Sequence, residues 1–341
     1  MSLQKILGQR SAIAIDEFNL RETGLVPEIT AATRGGATLS LAGEFQTRLV
    51  NLGLLDPVFG GDATTPFGPL AKVSGLLDGE TRNALFEFCK ISGVKYDDTM
   101  LTGTQLEAMD KAKPDTFLPI EFNNKSTDDA PTRLAKRVLR YLRAKGYWIA
   151  RSPEMYNIVY VEGMNSDGTL NSDTFDQWND RRLVIQIQKG GKPLMVINDQ
   201  ATTEPGKFYT QNPLNPQGAA RVAFGQYKAW MVGLHQMKQP ALVQRGPVRV
   251  HRDLDKNGKR NASDPIDIGD WFGINQHSTS PTLVPDLVGK FSAGCLVGRR
   301  YNSHLAFLRT VKKDVRYLLN NGYLFVTAVI PGDDLVRTQP T

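Results

Sequence analysis

Cysteine is nearly absent from this chain: Cys89 and Cys295 are the only two thiols in 341 residues. Two thiols so far apart cannot build a disulfide framework, and they point to a reducing compartment or a reactive role. No apolar run approaches the roughly 18 residues of a membrane-spanning helix, so no membrane span is expected. The opening MSLQKILGQRSAIAIDEFNL lacks the apolar core and small-residue cleavage site of a secretory signal. The expectation is a chain made in the cytoplasm that reaches any extracellular target by another route. No Lys/Arg run is dense enough for a nucleic-acid arm, so nucleic acid is not an expected partner. The four histidines, His235, His251, His277 and His304, lack zinc-site spacing, and no cofactor is required by any motif.

What is present describes a globular chain. Hydrophobic residues make up 40% and charged residues 22%, which excludes a disordered polymer. The length exceeds one ordinary core and implies roughly two or three domains. A formal charge of +6 suits an acidic polymer such as nucleic acid, anionic lipid or bacterial cell wall, without choosing among them.

Residues 1–36 read as an extended leader, and AATRGGATLS, across its end, has the character of a linker that stops near a helix N-cap. Residues 37–96 read as a small helical domain. In LAGEFQTRLVNLGLL, Leu41, Phe45, Leu49 and Leu52 share one helical face, and Gly53 can stop the helix. A Gly/Pro/Thr-rich loop runs from Asp56 to about Ser74. A second helix, capped by Asp78 or Thr81, carries Leu85, Phe86, Phe88 and Cys89, which makes Cys89 a packed core thiol. Residues 97–130 read as a polar linker with one short helix over Thr104–Lys113. A β-rich domain spans 131–341 and opens on the amphipathic helix APTRLAKRVLRYLRAKGYWIA. Leu134, Val138, Leu139 and Leu142 form its apolar stripe. Arg133, Lys136, Arg137, Arg140 and Arg143 form a basic face, either solvated or docked on an acidic surface.

Strand patterns dominate from residue 154: YNIVYVEGM, RRLVIQIQ, KPLMVIND and GPVRVHRD. GAARVAFGQYKAWMVGLH reads as a helical insert, with Tyr227 and Trp230 at i, i+3 as core residues or a sugar-stacking wall. NSHLAFLRTVKKDVRYLLNNGY reads as a late helix and LFVTAVI as a closing strand. The fold class is therefore α+β, a helical N-terminal domain followed by a β-rich one.

The chemistry concentrates in GINQHSTSPTLVPDLVGKFSAGCLVG. A thiol becomes a nucleophile when a base or positive charge favours its thiolate. Cys295 follows Ser292 and Gly294, whose turn can expose the thiol and offer backbone N–H groups to an oxyanion. His277, at the end of the strand-like WFGINQH, is its candidate base. Upstream, DLDKNGKRNASD places oxygen ligands at Asp253, Asp255, Asn257 and Asp264 in the register of a calcium loop. A long hairpin tip with Asn-Gly at its corner fits the same residues. His251, in VRVHRD, is either a substrate-orienting group or an ordinary strand histidine.

Two resemblances follow from these motifs. FQTRLVNLGLL and DGETRNALFEF, over about residues 38–95, resemble a small three-helix peptidoglycan-binding domain; a helical adaptor that docks another protein is the alternative. His277, Ser292, Gly294 and Cys295 resemble the active-site region of L,D-transpeptidase catalytic domains. This sequence departs at Ala293, where that family has a second histidine, at Val297, where it has arginine, and at Ser278, where it has glycine. The pattern is closest to a divergent SAGC subgroup associated with phage and contractile-injection particles. The resemblance implies a β-sandwich-like domain, a Cys295 nucleophile with His277 as base, and peptidoglycan stem peptides as substrate. It implies acyl transfer to an amine or to water; Arg299 and Arg300 lie close enough in sequence to supply positive charge to a substrate, although neither falls on the family's arginine position. The departures leave altered specificity, a hydrolase, or an inactive wall-binding component of such a particle as alternatives.

Overall fold

The computed structural model describes residues 2–24, 41–57 and 76–340. The expected AATRGGATLS linker, and nearly all of the loop expected from Asp56 to Ser74, lie outside them. The described chain divides into two compact units. One takes the described residues up to 57, then 76–120 and 150–152; the other takes 121–149 and 153–340.

In the first unit, a 3-10 turn over Leu3–Ile6 leads to β1 (Ala12–Ala14) and α1 (Ile15–Gly24). The start of the chain is thus folded rather than an extended leader. Leu3, Ile6, Leu7, Ile13, Ile15 and Phe18 are all buried. These pieces are too short to show a period, and what orders them is distant. β1 pairs antiparallel with β2 (Met100–Thr102), matching Ile13 to Leu101. The Leu3 N–H donates to the Asp110 carboxylate at 2.8 Å.

Between these ends lie α2 (Leu41–Asn51) and α3 (Gly79–Ser92). Asp78 rather than Thr81 caps α3, accepting from the Thr81 N–H at 2.9 Å. Gly93, at φ +73°, ends it in the left-handed conformation that glycine adopts freely. Cys89 is buried on α3, and burial pushes its thiol up to about 11. α4 (Gly103–Lys111) starts at a reciprocal capping box of Thr102 and Gln105, and α5 (Pro114–Phe117) follows. Leu101, Leu106 and Met109 are fully buried. Residues 97–120 therefore supply core to this unit instead of linking two domains.

The second unit opens on α6 (Ala130–Ala144), capped by Asp129. Its apolar stripe is buried as the spacing predicts. Most of its basic face turns onto its own chain. Lys136 is completely buried, 2.6 Å from the Asp128 carboxylate. Arg137 and Arg140 donate to the carbonyls of Gly168 and Phe122. Arg143 lies 3.7 Å over the Phe122 ring. Long cationic stems cover apolar surface while their heads find carbonyls, so these charges do not describe an external partner.

The strands are β3 (Tyr156–Glu162), β4 (Asp180–Ile187) and β5 (Pro193–Thr202). After α7 (Lys207–Gln211) come β6 (Ala219–Val222), β7 (Gly225–His235), β8 (Gln239–Gln244), β9 (Val248–Asp253), β10 (Ile266–Gly269), β11 (Gln276–Ser278) and β12 (Leu296–Gly298). α8 (Tyr301–Val311), α9 (Val315–Leu319), β13 (Phe325–Pro331) and α10 (Gly332–Thr338) complete the chain. The whole is α+β, as expected. Eight strands close into a barrel in the order β11-β12-β5-β4-β3-β13-β7-β8, and β10-β9-β6 form a separate antiparallel sheet. The expected sandwich-like layering is thus replaced by closure, completed where Gln276 of β11 meets Leu242 of β8.

The expected helix over 218–235 is β6 and β7. Its i, i+3 spacing has a different cause. Opposite Phe325 and Val326 of β13, the register of β7 slips by one residue between Lys228 and Trp230. Such a bulge lets residues of opposite parity face the same side. Tyr227 and Trp230 both point into the core, edge to face with centroids 6.3 Å apart. They are core residues and not a sugar-stacking wall.

Candidate active site

Three strands bring the reactive groups together. His277 is the central residue of β11, and Cys295 immediately precedes β12. The two strands run parallel, with His277 opposite Val297. β11 also pairs with β8, whose hairpin partner β7 ends at His235. A ring nitrogen of His235, a ring nitrogen of His277 and the Cys295 sulfur lie within 4.8 Å of one another. The sequence brings Cys295 and His277 forward as a pair. It does not reveal His235, which comes from a strand that reads as a helix.

The turn before Cys295 is built by Ser292 and Gly294. The Ser292 hydroxyl donates to the Cys295 carbonyl at 2.8 Å and accepts from the Gly294 N–H at 3.1 Å. Gly294 sits at φ +128°, and a Cβ there would lie 2.5 Å from the Ala220 carbonyl oxygen. These two residues therefore shape the turn, and the Gly294 N–H is not available to an oxyanion. Among the described residues, the Cys295 N–H has no acceptor in the protein. The sulfur accepts from the Asn275 N–H at 3.4 Å and lies 3.6 Å from the Gly273 carbonyl.

The protonation states follow from burial and hydrogen bonding. His277 is 4% exposed, and its Nδ1 lies 2.8 Å from the Ser278 carbonyl. A carbonyl only accepts, so Nδ1 carries the proton and Nε2 keeps its lone pair. Burial, reinforced by the neighbouring His235, pushes His277 down to about 3, against the pull of the Ser278 carbonyl. Burial pushes Cys295 up to about 11, only partly offset by the Asn275 N–H. Near neutral pH the pair is a neutral thiol beside a neutral imidazole, not a preformed thiolate. Such a pair works as a general base does: the imidazole takes the thiol proton as sulfur attacks.

The three side chains line a cavity of about 530 Å³. Its walls include Trp271, Phe272, Leu214 and Phe291, with Trp271 73% exposed and Leu214 80% exposed. Two cations reach it, Arg252 and Lys290. Arg252 is held 2.8 Å from Asp267, and the Lys290 ammonium lies 4.3 Å over the Phe208 ring. The residues that sequence reasoning selects for substrate binding are not among those lining it. Arg299 binds the Pro285 carbonyl and the Gln200 side chain, and Arg300 sits at the start of α8 without a side-chain cap bond. His251 lies on β9 between β6 and β10. Arg252, its next neighbour, faces the other way on the same strand and reaches the cavity, a difference that strand parity alone cannot assign.

The 253–264 loop satisfies itself. The Asp253 carboxylate accepts from the N–H groups of Asn257 and Gly258, at 3.1 and 2.9 Å. Asp255 accepts from the Asn257 side chain, and Asp264 accepts from the Asn261 N–H. The oxygens that a calcium ion would use are the ones that hold the turn. Nearby, a second cavity of about 470 Å³ contains Glu162, Asp173 and Glu204. Arg260 pairs with Glu162 and Arg221 with Glu204, so buried guanidinium groups already answer two of its carboxylates.

No protein-family model matches this chain, and no curated protein matches it in sequence.

Proposed function

We propose that the protein is a cysteine acyltransferase or peptidase of the L,D-transpeptidase type that acts on the peptide stems of bacterial peptidoglycan. The observation that carries the reading is the Cys295–His277 pair: sulfur and imidazole within 4.8 Å, in an open cavity, with the base oriented by the Ser278 carbonyl. Nucleophile, base and orienting group are the three parts that thiol acyl transfer needs. Cys295 attacks a stem-peptide carbonyl, His277 takes its proton, and the thioester passes to an amine or to water. Arg252 and Lys290 give the cavity positive charge suited to the carboxylates of such peptides. In this reading the first unit holds the enzyme on the wall, and the chain belongs to a phage or contractile-injection particle.

A second reading is favoured by the neutral thiol. A sulfur pushed up to about 11, with Ala293 and Val297 where the family has histidine and arginine, suits a wall-binding component without turnover. Mass spectrometry of muropeptides separates the two. Purified sacculi incubated with the wild-type chain, but not with Cys295→Ala, are expected to show changed stem peptides or cross-links. Identical muropeptides in both samples would sink the enzymatic reading.

A further inference from the structure

The Cys295 cavity contains an imidazole that the nucleophile–base pair does not use. Its protonation is fixed by a chain of backbone and amide contacts. The Asn275 Oδ1 accepts from the Gln244 N–H at 2.9 Å, which sets the orientation of that amide. Its Nδ2 therefore faces the His235 Nδ1, also at 2.9 Å. An amide NH2 only donates, so the His235 Nδ1 accepts and the proton sits on Nε2. His277 has the opposite arrangement, with its proton on Nδ1. The stacked rings, both of which line the cavity, thus carry one Nε2–H and one Nε2 lone pair, a donor beside a base. Among the described residues neither Nε2 has a partner.

A metal ion is the other use of two histidines and a cysteine, and the geometry opposes it. The rings are parallel within 9° at a centroid distance of 3.9 Å. A metal binds in the plane of each ring, about 2.0–2.1 Å from nitrogen. One ion cannot lie in two parallel planes separated by a stacking distance. The Asn275 amide also occupies the His235 Nδ1 lone pair and leaves Nε2 protonated, so neither nitrogen is free to ligate.

We propose that His235 is a catalytic hydrogen-bond donor whose Nε2–H stabilises the oxyanion formed when the Cys295 thiol adds to a carbonyl. This rests on the reading of Cys295 as an acylating nucleophile. In the addition, sulfur bonds to the carbonyl carbon, the thiol proton moves to the His277 Nε2, and the π electrons move onto oxygen. Collapse restores the C=O bond, breaks the bond to the leaving group, and returns that proton to it. His235 exchanges no proton. Its hydrogen bond strengthens as charge gathers on oxygen, alongside the Cys295 N–H, so it favours the transition state over the bound substrate.

Two reagents test this on the full chain at mildly alkaline pH. Iodoacetamide alkylates Cys295 without forming an oxyanion; p-nitrophenyl acetate acylates it through one. Acylation is corrected by the Cys295→Ala rate, and alkylation is read by peptide mapping. His235→Ala is expected to slow acylation about 100-fold or more while changing alkylation by less than about threefold. His235→Gln, which keeps a side-chain N–H, should recover part of the acylation rate. Equal loss with both reagents, or no loss with either, would overturn the role of His235 while leaving Cys295 as the nucleophile. A wild-type chain that is alkylated but never acylated at Cys295 would overturn the parent reading and this one with it.

Discussion

His235 and His277 lie face to face, with ring centroids 3.9 Å apart and planes within 9° of parallel. A proton added to either ring would place charge against its neighbour in a poorly solvated site. Burial is the larger influence on His277 and the second ring the next. Burial also lowers His235. The pair is therefore held neutral, and each tautomer is set by the group at its Nδ1: a carbonyl for His277, an amide NH2 for His235.

Nitrogen NMR of the four imidazoles checks this directly. His277 is expected as the Nδ1–H tautomer and His235 as the Nε2–H tautomer. Neither should show the shifts of an imidazolium at neutral pH, and His277 should stay neutral to about pH 5 and below, since it is pushed down to about 3. A His277 that titrates near its ordinary value would refute the buried, stacked arrangement.

Gly294→Ala tests the turn that presents the thiol. Alanine would carry a left-handed φ and drive its Cβ to 2.5 Å from the Ala220 carbonyl oxygen, which as backbone cannot swing aside. The expected loss is at least about 2 kcal/mol of stability, seen as a lower urea midpoint. Gly289→Ala is the control. It has φ +53° but no atom within 4 Å of the new Cβ, so only the conformational cost of about 1 kcal/mol applies. Ser292→Ala should fall between or above these, because it strands the Gly294 N–H and the Cys295 carbonyl inside the protein, at about 1–3 kcal/mol.

How much of this was legible in the sequence depends on distance along the chain. The α2 and α3 stripes, the burial of Cys89 and the apolar face of α6 follow from local periodicity. The Cys295–His277 pairing was readable through the resemblance carried by His277, Ser292, Gly294 and Cys295, because their spacing alone does not select a catalytic pair. The folding of residues 3–18 was not, because its cause is strand β2 and Asp110, about a hundred residues away. β7 reads as a helix because a bulge gives Tyr227 and Trp230 a helix-like spacing. Missing that strand also hid His235. Arg299 and Arg300 look close to Cys295 in sequence, yet β12 carries the chain away from the cavity before them.

The thiol itself yields a pH prediction. Because Cys295 is pushed up to about 11, its alkylation rate should rise in the alkaline range, where free thiolate forms, above the level rate that general-base attack by the neutral pair sustains near neutrality. A preformed thiolate, already ionised at neutral pH, would show no such alkaline rise. Following iodoacetamide labelling of Cys295 against pH decides between them. Cys89, also pushed up to about 11 and buried on α3, should label only under conditions that open its helix.

Acid should weaken the second unit through His277 and His304. His304 is completely buried; its Nδ1 accepts from Arg182 at 3.0 Å and its Nε2–H donates to the Pro240 carbonyl at 2.9 Å. Protonation would set an N–H against the guanidinium, so burial and Arg182 hold this histidine well below its ordinary value. A histidine lowered by folding binds its proton in the unfolded chain first. Its stabilising contribution is whole above pH about 6.5 and is lost as pH falls below that, by up to about 1.4 kcal/mol per pH unit. Asp180 acts in the opposite sense. Burial and Glu162 raise it to about 7, so its protonated folded form gains as pH falls from about 7 towards its ordinary value. The Asp180 effect offsets one histidine and not two. His304→Gln isolates the histidine, because the amide can keep both an acceptor towards Arg182 and a donor towards Pro240 but does not titrate. Between about pH 6 and pH 5, urea denaturation of this variant should show a pH dependence smaller than wild type by about 1.4 kcal/mol per unit. Parallel stability curves for the two proteins would refute a neutral, buried His304.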